Sequence, residues 1–208
     1  MVREDPHGIT RIEALEQLYG AANPNSLRKE VSYLHPHYRA FVAAAPFAIL
    51  ATSGPGGLDA SPRGDAPGFV TVEDEKTLLI PDRKGNNRID SLRNLIADPR
   101  AALLFLVPGV GETLRVNGRA RITVDPTLLA RFAIDGKEPR SVLVMHIEAV
   151  YFQCARALLR SKLWDATLHV DRNSLPSAGD ILSALTDAEV DGVTYDREAP
   201  ARLKANLY

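Results

Sequence analysis

The chain has 208 residues, of which 45% are hydrophobic and 25% charged, a composition that buries one main core with appendages and favours neither disorder nor a fibrous architecture. Its 25 basic and 26 acidic residues leave a formal charge of -1, so no global field draws it toward nucleic acid or an acidic membrane, and any anion site must be local. Cys154 is the only cysteine, which excludes an internal disulfide framework and agrees with a reducing, cytoplasmic compartment. The longest apolar run, Ala40 to Ala51, is too short to span a bilayer and contains Pro46, while Met1 to Gly8 is charged, so neither a membrane anchor nor an export signal is expected.

In chain order, Ile12, Leu15, Leu18 and Tyr19 share one helical face, which predicts a helix over Ile9 to Tyr19 stopped by Gly20. A second helix is expected from Ser26 to Val42. Phe47 to Ser53 is a short apolar run ended by Gly54-Pro55-Gly56-Gly57, and Leu58 to Ser61 resumes an alternating pattern, so the pair predicts a hairpin. Strands over Gly68 to Val72 and Thr77 to Ile80 continue the meander through the polar turn Glu73 to Lys76. Ile89, Leu92, Leu95 and Ile96 then fall at helical spacing, and Asp98-Pro99 ends that pattern. Ala101 to Val107 is a continuous apolar run suited to a central strand. Leu114 to Val124 alternates between apolar and polar residues, with Leu114, Val116, Gly118, Ala120, Ile122 and Val124 facing the core. Asp125-Pro126 caps and opens a short helix, Ser141 to Phe152 is a last long strand, Asp180 to Leu185 is helical, and Ala199-Pro200 begins a polar terminus. Roughly six strands with short turns and no regular alternation with helices predict a mainly β fold, a closed or nearly closed antiparallel barrel with flanking helices.

Four elements could carry chemistry. Asp82-Arg83-Lys84-Gly85-Asn86-Asn87-Arg88 gathers three cations, a glycine and two amides at a strand end and a helix start, where unpaired N–H groups and forked guanidinium donors suit a phosphomonoester. The same residues also make an ordinary solvated basic loop with Asn86 or Asn87 as helix cap. Ser61-Pro62-Arg63-Gly64-Asp65 is rich in Pro and Gly, and its backbone could lie open to a flat ring with Arg63 donating to a polar edge, or it could be a plain turn. Arg115 and Asn117, nearest the turn Pro108 to Gly111, are ligand candidates on an otherwise wet face. Arg156 and Arg160 stand at i, i+4 on one helix face and could meet an anion. His35 and His37 have no companions at metal-ligand spacing, so they are expected to be structural and no metal is expected. Cys154 is expected to be a small buried residue. No GxGxxG, Walker A or GxSxG motif occurs, and no catalytic acid or base is identified.

Ser61-Pro62-Arg63-Gly64-Asp65, Ile80 to Arg88, Leu106 to Gly118 and Cys154-Ala155-Arg156 with Trp164 together resemble the pyridoxamine 5'-phosphate oxidase-like FMN-binding split-barrel family, and more narrowly an uncharacterised bacterial subgroup, over about Ile9 to Tyr208. The resemblance implies a six-stranded split β-barrel and a homodimer with FMN in the clefts between subunits. By that resemblance Arg83, Lys84, Asn87 and Arg88 would hold the FMN phosphate. Ser61, Pro62, Arg63 and Asp65 would line the ring, Pro81 and Asp82 would pass beside it, and Arg156 and Arg160 would come from the partner subunit. Three segments are expected: an N-terminal helical segment over 1–45 packing on the barrel, the FMN-binding barrel over 46–164 and a C-terminal helical extension over 165–208. The C-terminal Trp with closely spaced Arg and His of the namesake enzyme is missing, which sets pyridoxamine phosphate itself aside as substrate. The expected function is therefore an FMN-dependent oxidoreductase acting on another small molecule. The alternatives are a non-catalytic FMN- or haem-binding protein and a deazaflavin-dependent reductase.

Overall fold

The computed structural model describes residues 5–208, so the first four positions of the expected N-terminal segment lie outside the described residues. Helix α1 (Ile12–Tyr19) stops at Gly20, whose φ of 68° takes the chain out of the helix. The helix expected from Ser26 to Val42 is instead two, α2 (Pro24–Arg28) and α3 (Pro36–Ala44). The break has a local cause: Pro36 disfavours helix at His35 and sits well only in a first turn, so the chain runs extended past Val31, which bridges to Val150, and restarts with His35 as cap. The His35 Nδ1 accepts the His37 N–H at 3.2 Å, which gives this histidine its structural role.

The strands are β1 (Phe47–Gly54), β2 (Gly57–Gly64), β3 (Thr71–Val72), β4 (Thr77–Asp82), β5 (Arg100–Leu106), β6 (Thr113–Thr123) and β7 (Ser141–Gln153). They form one antiparallel sheet in the order β2-β1-β5-β6-β7-β4-β3, seven strands rather than six. The expected mainly β class with flanking helices stands, and the central place expected for Ala101 to Val107 is that of β5. The strand expected over Gly68 to Val72 shrinks to Thr71–Val72 because Pro67 and Gly68, with φ 85° at the glycine, form a turn closed by the Phe69 N–H on the Ala66 carbonyl at 3.1 Å. Val124, expected in the core, is exposed because β6 ends at Thr123 and the chain turns into α5 (Pro126–Arg131), where the Asp125 side chain caps Thr127 N–H at 2.8 Å.

Leu50, Leu103, Phe105, Val116, Met145 and Ile80 come from both ends of this strand order yet join one buried cluster, with Val42 of α3 beneath it. The sheet therefore curls around its core as a barrel split between β2 and β3. Each such fully buried side chain contributes about 1.5–3 kcal/mol. Between Asn117 and Gly118 the β6–β7 register slips past Glu148, a β-bulge, and a Cβ at Gly118 would overlap the His146 carbonyl oxygen. Helix α4 (Asp90–Ala97) presses so closely on the β1–β2 hairpin that a Cβ at Gly54 would overlap the Asn94 side chain, whose amide donates to Thr52 Oγ1 and the Gly57 carbonyl.

After β7, α6 (Arg156–Ser161) leads through two short 3-10 turns to α7 (Ala178–Leu185) and α8 (Gly192–Ala205). The Ser177 and Asp180 pair forms a capping box at the start of α7. Helix α8 runs through Pro200, so the polar terminus expected from Ala199-Pro200 is the last part of this helix; its start is fixed by Asp191, whose side chain accepts from the Val193 and Thr194 N–H groups. No helix among the described residues is long and apolar enough to cross a membrane.

Candidate functional site

The pleat of β2 puts Asp59, Ser61 and Arg63 on one face, and β4 delivers Pro81 and Asp82 to the same place from near the other end of the strand order. The site therefore lies across the split. The Arg63 Nη2 is 3.8 Å from Asp82 Oδ1 and spans the opening. Two clefts of about 260 and 230 Å³ share Arg63, Asp82, Arg83 and Gly85 as a common wall. Each alone is below the ~300 Å³ at which small-molecule pockets begin, and the shared wall lets a larger ligand at the split extend over both.

Arg63 is loosely held. Its guanidinium reaches Ser61 Oγ at 3.2 Å, the Pro62 carbonyl at 3.4 Å and Ser91 Oγ at 3.4 Å, all long, and its Nε is buried without a partner. The group keeps donor capacity for an acceptor in the cleft. Arg83 is held firmly: Nε donates to Asp65 Oδ2 at 2.8 Å and Nη1 to the Phe132 carbonyl at 3.2 Å. Arg88, exposed, pairs with Asp90 at 2.9 Å, a contact worth little by itself. Asn87 Oδ1 accepts from Arg140 Nη1 at 2.7 Å. Four guanidiniums, Arg63, Arg83, Arg88 and Arg140, thus face Asp59, Asp82 and Asp90 around the larger cleft, a local positive excess on a chain that is nearly neutral overall.

Burial pushes the Asp82 carboxyl above the usual carboxylate range, against the opposing pull of Arg63 and Arg140. Burial also raises Asp65, but the Tyr208 hydroxyl, the Ala66 N–H and Arg83 together outweigh it and hold that carboxyl below its ordinary value. The loop between β4 and α4 carries Asn87 at φ 62° and Ile89 at φ 54°. A left-handed β-branched residue costs on the order of 1–3 kcal/mol, and this one stands where the basic loop turns into α4.

Ser61, Pro62, Arg63, Asp65, Pro81, Asp82, Arg83, Lys84, Asn87 and Arg88 all line these two clefts. Arg115 and Asn117 do not. They sit mid-strand in β6, where Arg115 Nη1 donates to the Tyr151 hydroxyl at 3.0 Å and Asn117 lies at the bulge. Arg156 and Arg160 lie on α6, outside the clefts, and Trp164 Nε1 ties the following turn to the Val110 carbonyl at 2.8 Å. Cys154, expected to be buried, is exposed; the Arg156 N–H, with the charges of Arg156 and Lys29, lowers its thiol pKa. Other residues at the site were not anticipated, Asp90 among them. Asp59 was legible from its period-2 spacing to Ser61 and Arg63, and Ser91 from its place in the first turn of α4. Arg140 and Ser141 arrive only through the register that pairs Ser141 with Asp82, and Tyr208 through a contact 143 residues from Asp65, so neither had a local signal.

Residues 34–154 match the family model described as pyridoxamine 5'-phosphate oxidase. No curated protein matches the chain. Among solved structures, HupZ of Group A Streptococcus is 18% identical, with a TM-score of 0.45, covering 56% of this chain and 90% of its own. A Lactobacillus delbrueckii protein carrying the pyridoxamine 5'-phosphate oxidase designation is 20% identical at TM-score 0.46, covering 58% of this chain and 95% of its own. A Clostridium acetobutylicum protein related to general stress protein 26 is 13% identical at TM-score 0.45, covering 57% and 86%.

Proposed function

Because the chain belongs to the pyridoxamine 5'-phosphate oxidase family, we propose that the two clefts joined at Arg63 and Arg83 take up FMN and that the protein is an FMN-dependent oxidoreductase acting on a small molecule. The observation that carries this reading is Arg63 at the split, a side chain 22% exposed to the cleft whose Nε is buried without a partner. Such a group is costly unless an acceptor completes it, and the carbonyl and ring-nitrogen edge of an isoalloxazine offers acceptors. The residues fit the cofactor at both ends. Ser61, Pro62, Arg63, Asp65, Pro81 and Asp82 would line the ring, and Arg83, Lys84, Asn87 and Arg88 would receive the phosphate.

The flavin would supply hydride or electron transfer, and the chain would supply position and charge. Asp65 fixes the direction of Arg83, and the ion pair is shielded, its side chains 17% and 8% exposed. Asp82, its carboxyl pushed upward by burial and pulled down by Arg63 and Arg140, lies at the cleft wall opposite Arg63. Arg140 adds positive charge to the wall from the β7 side. A homodimer follows from the same reading. Leu159, Leu163 and Trp164 are exposed beside Arg156 and Arg160, an apolar patch suited to burial against a second copy. Arg156 and Arg160 would then reach the partner's cleft.

Arg140 and Lys137 support a second reading, a deazaflavin, since its longer acidic tail needs cations beyond Arg83 to Arg88 and both lie beside that cluster. One experiment separates the two. The purified protein is expected to show flavin absorption bands, and denaturation is expected to release FMN in equimolar amount. Release of a deazaflavin would move the assignment to the second reading, and a protein that neither carries nor takes up any flavin would remove both.

A further inference from the structure

The end of the chain reaches the cationic corner. Helix α8 packs on α7 at the close approach of Gly179 and Gly192, fixed by Gly179 N–H on Asp196 Oδ1 at 2.8 Å. Just past α8, Asn206 Oδ1 accepts a hydrogen bond from Lys84 Nζ. The Tyr208 hydroxyl donates to Asp65 Oδ1 at 2.8 Å, its ring centroid lies 5.2 Å from the Arg83 guanidinium, and its main-chain oxygen accepts from Lys137 Nζ at 3.3 Å. Within three residues the tail thus touches Asp65, Arg83 and Lys84, all of them lining the smaller cleft.

These contacts use groups that an anionic ligand would need. Lys84 can donate to the neutral Asn206 amide or to a phosphate oxygen, and the ionic hydrogen bond is about twice as strong. The exposed face of Arg83 can carry the Tyr208 ring or an incoming group, not both. Because the tail contacts are individually weak and partly solvated, a ligand with a dianionic end can displace them.

We propose that Asn206 to Tyr208 form a strap across the mouth of the flavin cleft, and that strap docking and binding of the anionic end of the ligand exclude one another. The inference rests on the flavin reading above and names the device that controls access to that site. The strap selects against neutral molecules, which have nothing stronger than Asn206 to offer Lys84.

Amide hydrogen exchange over 203–208, measured on the whole protein with and without saturating FMN, tests it. Exchange in this segment is expected to rise about tenfold when FMN binds. The variant Asn206→Ala with Tyr208→Ala, both surface changes, is expected to bind FMN about fivefold more tightly through faster association. Unchanged or stronger protection with FMN bound overturns the strap and leaves the flavin reading intact. If neither protein binds FMN, the flavin reading falls. The same exchange run with pyrophosphate then decides the strap, unchanged protection again overturning it.

Discussion

Replacing Arg63 and Arg83 together with alanine is expected to weaken FMN binding by about 10²–10⁴-fold, since each guanidinium contributes hydrogen bonds to a charged or polarised acceptor worth about 1.5–3 kcal/mol and every 1.4 kcal/mol is tenfold. Titration of flavin fluorescence measures it. The single variants should separate the two ends of the ligand. Arg83→Ala is expected to lower FMN affinity while leaving riboflavin affinity nearly unchanged, because riboflavin lacks the phosphate, whereas Arg63→Ala should weaken both. Equal losses for FMN and riboflavin in Arg83→Ala would show that this residue does not meet the phosphate. Removing Arg83 also strands Asp65, whose carboxylate is shielded from water. Asp65→Asn added to Arg83→Ala should therefore recover thermal stability without recovering affinity, which distinguishes lost binding from lost folding.

Gly118→Ala is expected to be the most disruptive small substitution in the sheet. The clash is with backbone on the neighbouring strand, the His146 carbonyl, and cannot be relieved by turning a side chain. Overpacking of this kind costs about 3 kcal/mol or more, which for a chain of this size lowers Tm by on the order of 6–12 °C. Gly56→Ala, in the open β1–β2 turn where an added Cβ meets nothing within 4 Å, is the control and should leave Tm within about 2 °C. An unchanged melting temperature for Gly118→Ala would mean that the bulge relaxes and does not set the β6–β7 register.

The strands were legible where period and punctuation agreed. Leu114 to Thr123 alternates and is β6, and Pro55-Gly56 marks the β1–β2 hairpin. Reading failed where one local feature outweighed the pattern. A single helix is expected from Ser26 to Val42, but Pro36 splits it; a strand is expected from Gly68, but Pro67-Gly68 turns there. At the site, the two basic and glycine-rich segments were visible because each concentrates its residues within a few positions. That Arg63 and Asp82 face one another, or that Arg140 and Tyr208 join them, depends on how the sheet curls and on where α8 ends, long-range facts that no window of sequence contains. The pairing of Arg83 with Asp65 was equally hidden, and it changes the meaning of both: one serves as an oriented donor and the other as its anchor.

A crystal structure of the protein grown with FMN addresses the central claim most directly. The account predicts density for FMN across the split, its phosphate within hydrogen-bonding distance of Arg83 and Lys84, its ring along Arg63 and Asp82, and α6 of a second copy closing over it. FMN seated elsewhere, as in the apolar groove between Tyr38, Phe41 and Phe152, with the Arg63 and Arg83 clefts unchanged, would contradict it.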